Sequence, residues 1–261
     1  AGAAHGRRRP GPGQDTLAAV LPDNEFGRAM ATALQQAASA AGVGTPDIHF
    51  HTGATGSINQ TMREVAQYSS RRGPLDAQIR AARADRTAEG RRKAEQLARS
   101  AIPEAPIDAL LLADTGERLA TIASLLPYYD LDPPAVRVLG PAIWAATVAR
   151  GEANLSGAWF AAPDPAARAA FDAAYQAQFG GPAPGLADFA YDAASVARVL
   201  AGEGGYSVAG LVRPEGFAGV NGVFALQTDG TVRRGLAIFE VRRGGPQVVE
   251  PAPEALGAPG T

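Results

Sequence analysis

The 261-residue chain has no cysteine. That excludes disulfides, thiolate zinc sites, iron–sulfur clusters and cysteine nucleophiles, and leaves the compartment open. Lysine is nearly absent, Lys93 being the single one, and Arg supplies the rest of the positive charge. With 24 Lys+Arg against 26 Asp+Glu the net charge is −2, which argues against an electrostatic nucleic-acid binder. No run of 18 apolar residues could form a membrane-spanning helix. There is no basic-then-apolar signal segment and no lipidation cysteine. The chain begins at Ala1, and the reading expects a trimmed or truncated N-terminus.

Catalytic motifs are scarce too. No G-x-G-x-x-G follows a strand, and there is no G-x-x-x-x-G-K-[ST] loop and no G-x-S-x-G elbow. Carboxylates are scattered or sit at helix starts, with no paired spacing for acid–base work. His49 and His51 lie two apart on an expected strand, on one face. A metal pair needs a third ligand, and none is marked, so no metal and no cofactor is assigned.

What is present is an alternation of short apolar strands and helices. Residues 1–15, with Arg7, Arg8 and Arg9 ahead of a Pro-Gly stretch, read as a flexible arm. TLAAVL at 16–21 reads as a buried strand. Asp23 and Asn24 then cap a helix that ends at Gly42 and Gly44. Ile48–His51 is a second strand, making a β–α–β unit with parallel strands. Ser57 and Gln60 read as a capping box opening a helix to about Ser70. Residues 75–102 form a charged helical insert with a thin apolar stripe, interrupted near Gly90 and expected on the surface. Its basic excess either offers a face for an acidic partner or is simply a solvated helix face. Ile107–Ala113 is the clearest strand, and Asp114 with Glu117 reads as a helix cap. Val136–Leu139 and Ala158–Ala161 are further strands.

The grammar changes at Pro163. Asp164 and Pro165 start a helix to about Phe179, a second helix spans 186–201, and two strands, 222–227 and 232–241, form a hairpin around Asp229-Gly230. The tail from Gly244 reads as weakly ordered. The fold class is α/β, a doubly wound, mainly parallel sheet. Such sheets place ligand sites in loops at the carboxyl ends of their strands. Here these are PDNEFG at 22–27, DTG at 114–116 and GPAIW at 140–144, in which Phe26 and Trp144 either stack on a ligand or pack locally.

These loops, in this order, resemble the type I periplasmic-binding-protein fold in its leucine-binding-like branch. LPDNEFGRAM, IDALLLADTG and VRVLGPAIW resemble the cleft strands and turns of that family. FAYDAASVARVL and GFAGVNGVFALQTDGTVRRGLAIFEV resemble its late helix and closing strands. GAWFAAPDPAARAAFDAAYQAQFG and LLPYYDLDPPAVRVLG look closest to bacterial penicillin-binding-protein activators, lipoproteins that help switch on a peptidoglycan synthase. The resemblance covers Thr16 to Val249 and lacks the family's first lobe. It implies a second-lobe domain at 16–163, first-lobe remnants at 164–231, and a closing strand and tail at 232–261. The helices at 164–201 are then expected to expose Phe171, Tyr175, Phe189 and Tyr191. The ligand-binding positions implied are Asn24, Phe26, Asp114, Thr115, Ala142 and Trp144. Phe26 stands where amino-acid binders carry Tyr, Ala142 where they carry the Glu that pairs with the ligand ammonium, and Asp114 and Thr115 at an aromatic site.

The resemblance thus implies a non-enzymatic binding-protein-like module activating or scaffolding a peptidoglycan synthase. The alternatives are a solute-binding protein of an ABC uptake transporter for amino acids or related small molecules, and an enzyme or cytosolic regulator. The partner is then a synthase or a small-molecule ligand, with no nucleic acid, and a membrane only through a lipid anchor not present in this chain. The implied location is periplasmic, outer-membrane anchored in the full-length protein.

Overall fold

The computed structural model describes residues 16–100, 102–148 and 153–256. The arm at 1–15 and the last five residues of the expected tail lie outside the described residues. In chain order the elements are β1 (Leu17–Pro22), α1 (Glu25–Ala40), β2 (Asp47–His51), α2 (Thr55–Val65), α3 (Tyr68–Ala84), α4 (Ala88–Ala98), β3 (Ala109–Leu112) and α5 (Gly116–Leu125). Then come β4 (Arg137–Gly140), α6 (Trp144–Thr147), β5 (Trp159–Ala162), α7 (Pro165–Phe179), α8 (Ala187–Gly202) and α9 (Val208–Leu211). The last are β6 (Phe217–Gly219), β7 (Gly222–Leu226), β8 (Val232–Arg234), β9 (Ala237–Arg242) and β10 (Gly245–Glu250).

Seven strands form one sheet in the order β10-β9-β5-β4-β3-β1-β2. The pairs β1–β2, β1–β3 and β3–β4 are parallel, as expected for strands joined through helices. The chain divides into two compact units. The first runs to Trp159 and takes back Val241–Gly245; the second holds Phe160–Glu240 and the chain from Pro246.

In the first unit, side-chain alternation along the strands builds two layers of core. Ala19 and Leu21 of β1 and Leu111 of β3 pack with Ala31, Met30 and Leu34 of α1. Ala18, Val20, Leu110 and Leu112 point to the other face and are fully buried, together with Ile58, Met62 and Val65 of α2 and Leu119 and Ile122 of α5.

The charged insert is a helical hairpin with its own small core, Ile79 and Ala82 against Ala94, flanked by Leu75 and Leu97. Two expectations about it are corrected. The capping-box helix begins at Thr55, not Ser57, and ends at Val65, because Gln67 takes a left-handed conformation (φ 46°) and starts α3 in a new direction. The break in the insert falls at Asp85–Thr87, where Arg86 is left-handed (φ 50°), and not at Gly90. Gly90 is inside α4, and a Cβ there would stand 2.5 Å from the Ala82 carbonyl oxygen, so it is the point where the two helices touch. The base of the hairpin is pinned by Arg71, whose buried guanidinium donates to the carbonyls of Pro103, Ala66 and Tyr129 and, at 2.9 Å, to Asp130.

In the second unit, Asp164 caps α7 by accepting from the Ala166 N–H, with Pro165 in the first turn. Helix α7 buries no residue; of the four aromatics expected to be exposed, Phe189 and Tyr191 are, at 54% and 55%, while Phe171 and Tyr175 are half-buried. Val196 and Leu200 of α8 pack on Phe217 and Phe224 of a three-stranded sheet, β6-β7-β8. The expected strand 232–241 is two strands: β8 pairs with β7, and after Gly235-Leu236 the chain enters β9 of the large sheet. Gly235 makes the turn-off possible, since a Cβ there would crowd Val223 and Pro253 at under 3 Å. The expected loose tail contains β10.

Buried Asp188 ties this unit together. Burial pushes its carboxyl up, but hydrogen bonds from Asn221, Arg168 and the Phe189 N–H outweigh it and hold the group below the usual carboxylate range.

Two outcomes follow. Arg71→Ala is expected to destabilise the first unit by about 2–3 kcal/mol in denaturant unfolding, and Arg71→Lys to recover little, because an ammonium cannot span the same acceptors. For Asp188 the folded carboxyl is depressed, so its stabilisation is present above the unfolded pKa of about 4 and is lost as pH falls through the lower folded value. Asp188→Asn should flatten that acid limb in a stability–pH series.

Candidate functional site

Because β1, β2, β3 and β4 run parallel, their carboxyl ends share one edge, and the loops after Pro22, His51, Leu112 and Gly140 meet there. At the first loop, Asn24 is an extended N-cap whose Oδ1 accepts from the Gly27 N–H at 2.9 Å. Gly27 is a steric requirement: a Cβ would lie 1.9 Å from the Pro22 carbonyl oxygen. The Phe26-Gly27 pair therefore lets α1 start directly over the end of β1, and it leaves Phe26 44% exposed.

The centre of the edge is a buried histidine–carboxylate pair. His51 Nε2 stands 2.9 Å from Asp114 Oδ2, with both side chains at 0% exposure. His51 Nδ1 accepts the Gly53 N–H at 3.1 Å, so the ring hydrogen sits on Nε2 and is donated to the carboxylate. The register explains how residues 63 apart meet. Pro22 is level with His51, and Val20 is level with Leu112, which puts Asp114 level with Pro22 by continuation. The pair reaches over the end of β1 and joins the two strands on either side of it.

Asp114 has further partners. Its Oδ1 accepts from Arg118 Nε at 3.0 Å, one turn along α5. Its backbone carbonyl accepts the Trp144 indole N–H at 3.0 Å. Trp144 is fully buried, and its ring covers Gly140, where a Cβ would fall 2.2 Å from the indole carbons. The structure thus corrects the reading of Asp114 as a helix cap: α5 starts at Thr115, an extended N-cap with no side-chain hydrogen bond, while the Asp114 carboxylate turns inward to His51. Trp144 is packed locally, wholly enclosed against Gly140.

Of the six residues expected to bind ligand, Phe26 and Ala142 are exposed and Thr115 is half-buried. Asn24 is exposed with its carbonyl engaged, and Asp114 and Trp144 are enclosed. Sequence reasoning missed Arg118, and it weighed His51 only as half of a metal pair. Both were visible, a histidine ending one strand and an arginine four residues after Asp114, but their convergence depends on strand order. His49, the other strand histidine, lies beside Asp47 and Glu64. Among the described residues no three such side chains converge as a metal site.

Solved structures share this architecture. A branched-chain amino acid ABC transporter periplasmic ligand-binding protein from Burkholderia xenovorans superposes with a TM-score of 0.52 at 14% identity, covering 95% of this chain and 60% of its own. The C-domain of LpoA from Haemophilus influenzae, a regulator of PBP1A, gives 0.54 at 13% identity, covering 90% of this chain and 61% of its own. The chain has the type I periplasmic-binding-protein fold. Full-length LpoA from the same organism also gives 0.54, covering 92% of this chain and 37% of its own. The chain therefore spans less than two thirds of each of these binding-protein-fold structures, and at such identities the likeness is one of fold. No family model matches the sequence, and comparison with curated proteins finds no match.

Removing His51 would take one of the two side-chain donors from the buried carboxylate, so His51→Ala is expected to cost about 1.5–3 kcal/mol. A double-mutant cycle with Asp114→Ala, read by chemical denaturation, should show strong coupling, the double variant losing far less than the sum of the singles. Additive losses would contradict the clamp.

Proposed function

We propose that this protein is a non-enzymatic, periplasmic-binding-protein-like module that activates or scaffolds a peptidoglycan synthase. One observation carries the reading: the enclosed polar groups at the strand-end edge, His51, Asp114 and the Trp144 indole, are bonded to one another. A bound α-amino acid needs an acceptor for its ammonium, best a carboxylate. The carboxylate buried at this edge, Asp114, is enclosed and engaged by His51 and Arg118. The turn after β4 offers only the Ala142 methyl group. Losing one partner of a buried ionic contact costs about 3–5 kcal/mol, two to four decades in affinity. A binding-protein fold without ligand chemistry at this edge is suited to presenting surfaces to another protein. The likeness to LpoA supports the same reading and a periplasmic setting.

The uptake reading has its own support in the likeness to the Burkholderia ligand-binding protein. Calorimetry against a panel of the common amino acids, on this chain and on a form with the first lobe restored, separates the two. The expected result is no binding tighter than about 1 mM. In parallel, glycan polymerisation and cross-linking by the bifunctional synthases of the same cell are measured with and without the protein, with several-fold stimulation of one of them expected. Micromolar amino-acid binding would reinstate the uptake reading. Failure to bind or stimulate any of those synthases would overturn the activator reading.

A further inference from the structure

Three tyrosines cluster in the first unit, at the end of the sheet opposite the His51–Asp114 edge. Tyr68 opens α3, and Tyr128 and Tyr129 lie in a 3-10 turn, Pro127–Tyr129, just after α5. Helices α2 and α5 both start at the carboxyl ends of strands, so the chain beyond them has returned to the amino ends. The rings pack on one another. Tyr68 stacks on Tyr128 with centroids 5.7 Å apart, and Tyr129 meets them edge-on at 5.1 and 4.9 Å. Three such similar distances make a near-equilateral triangle. Tyr129 therefore sits between the other two, and not across Tyr128 from Tyr68. Tyr128 is 63% exposed, and the exposed face is the one turned away from Tyr68.

A single exposed aromatic is ordinary. This one is held in place. Tyr129 beneath it is buried, and its hydroxyl donates to the Asn59 side chain. Arg71 donates to the Tyr129 carbonyl at 3.1 Å and to the Asp130 carboxylate at 2.9 Å, which fixes the left-handed Asp130 (φ 58°) that ends the turn. The ring is thus a rigid plate before anything lands on it. Two charged groups act on Tyr68 beside it, Arg72 and Asp130. Both are already paired, Arg72 with Asp76 and Asp130 with Arg71, and both keep unused hydrogen-bonding capacity. Burial, and then the neighbouring Tyr128, pushes the Tyr68 phenol above its usual range, so its hydroxyl stays protonated and can donate as well as accept.

We propose that this plate binds a saccharide chain of β-1,4-linked pyranose rings with equatorial hydroxyls. Such a ring has a flat face of axial C–H groups, which lies on the open face of Tyr128. Its hydroxyls at the rim both donate and accept, matching the Asp130 carboxylate, the Arg72 guanidinium and the Tyr68 hydroxyl. Other ligand classes fit less well. A charged ligand finds the neighbouring charges neutralised. A quaternary ammonium needs aromatic walls around a cavity, whereas these rings are packed on each other. An α-1,4-linked chain curves and presents no continuous flat face. The plate shares no residue with the strand-end edge, so this inference stands apart from the synthase reading.

The probes are cellotetraose and chitotetraose, with maltotetraose as the curved control. Saturation-transfer NMR on the unaltered chain should show both β-1,4 tetrasaccharides binding, with saturation concentrated on the axial protons of one ring face. Maltotetraose should bind about fivefold more weakly or less. Tyr128→Leu keeps an apolar side chain but removes the plate, and should weaken binding about fivefold to tenfold with the circular dichroism unchanged. Tyr128→Phe keeps the ring and should stay within about twofold. Arg72→Ala should weaken binding about threefold. Saturation spread evenly over the sugar, binding that ignores Tyr128→Leu, or no saturable binding below about 10 mM would overturn the proposal. So would tighter binding of an octaproline peptide than of either β-1,4 probe, or self-association that Tyr128→Leu removes, since the plate would then serve a polypeptide.

Discussion

A buried carboxylate must be answered by its surroundings, and much of the strand-end edge follows from the one at Asp114. It follows a strand whose three leucines are buried, and its own side chain is fully enclosed, so its charge has no water to meet. The structure answers with the His51 ring from across β1, the Arg118 side chain from the next helix, and the Trp144 indole on its carbonyl. Each answer constrains an element: His51 holds β2, Arg118 sets the first turn of α5, and Trp144 folds the chain after β4 back over Gly140. The same contacts close the sheet edge and leave the Asp114 carboxylate enclosed.

Elsewhere small residues decide where elements can approach. Gly27 lets a helix begin on top of a strand end, and Gly90 lets α4 cross α3 within contact of its carbonyls. The hairpin of α3 and α4 holds together through a few small apolar side chains and is attached through the forked guanidinium of Arg71. That is how a segment dense in exposed Arg can still be an ordered part of the first unit. The second unit contrasts with this. Its α7 buries nothing, and the aromatic ladder Phe171, Tyr175 and Phe179 stacks along one side of the helix, partly in solvent.

Local chemistry was legible in the sequence wherever short-range physics governs. The apolar run LAAVLP made β1, Asn24 made the cap of α1, and Asp164-Pro165 made the start of α7, because each depends on neighbours within four residues. Alternation of capped helices with apolar strands also determined the parallel, doubly wound class, since strands joined through helices pair in parallel. The family resemblance rested on the same segments and carried the fold with it.

What tertiary structure alone decided depends on pairing between distant residues. The order β3-β1-β2 brings His51 to Asp114, and no local pattern contains that order. Asp114 followed by Thr115 and Gly116 reads as a cap because the cap motif is local, whereas its inward turn is set by a partner 63 residues away. Trp144 is enclosed because Gly140 and the Asp114 carbonyl make a seat for it, which composition cannot reveal. The run 232–241 has one continuous β pattern, and only the competition of two sheets for its hydrogen bonds divides it at Gly235. Backbone hydrogen bonding within helices is settled by sequence neighbours; in sheets it is settled by whichever strand lies alongside, and that is decided by the fold.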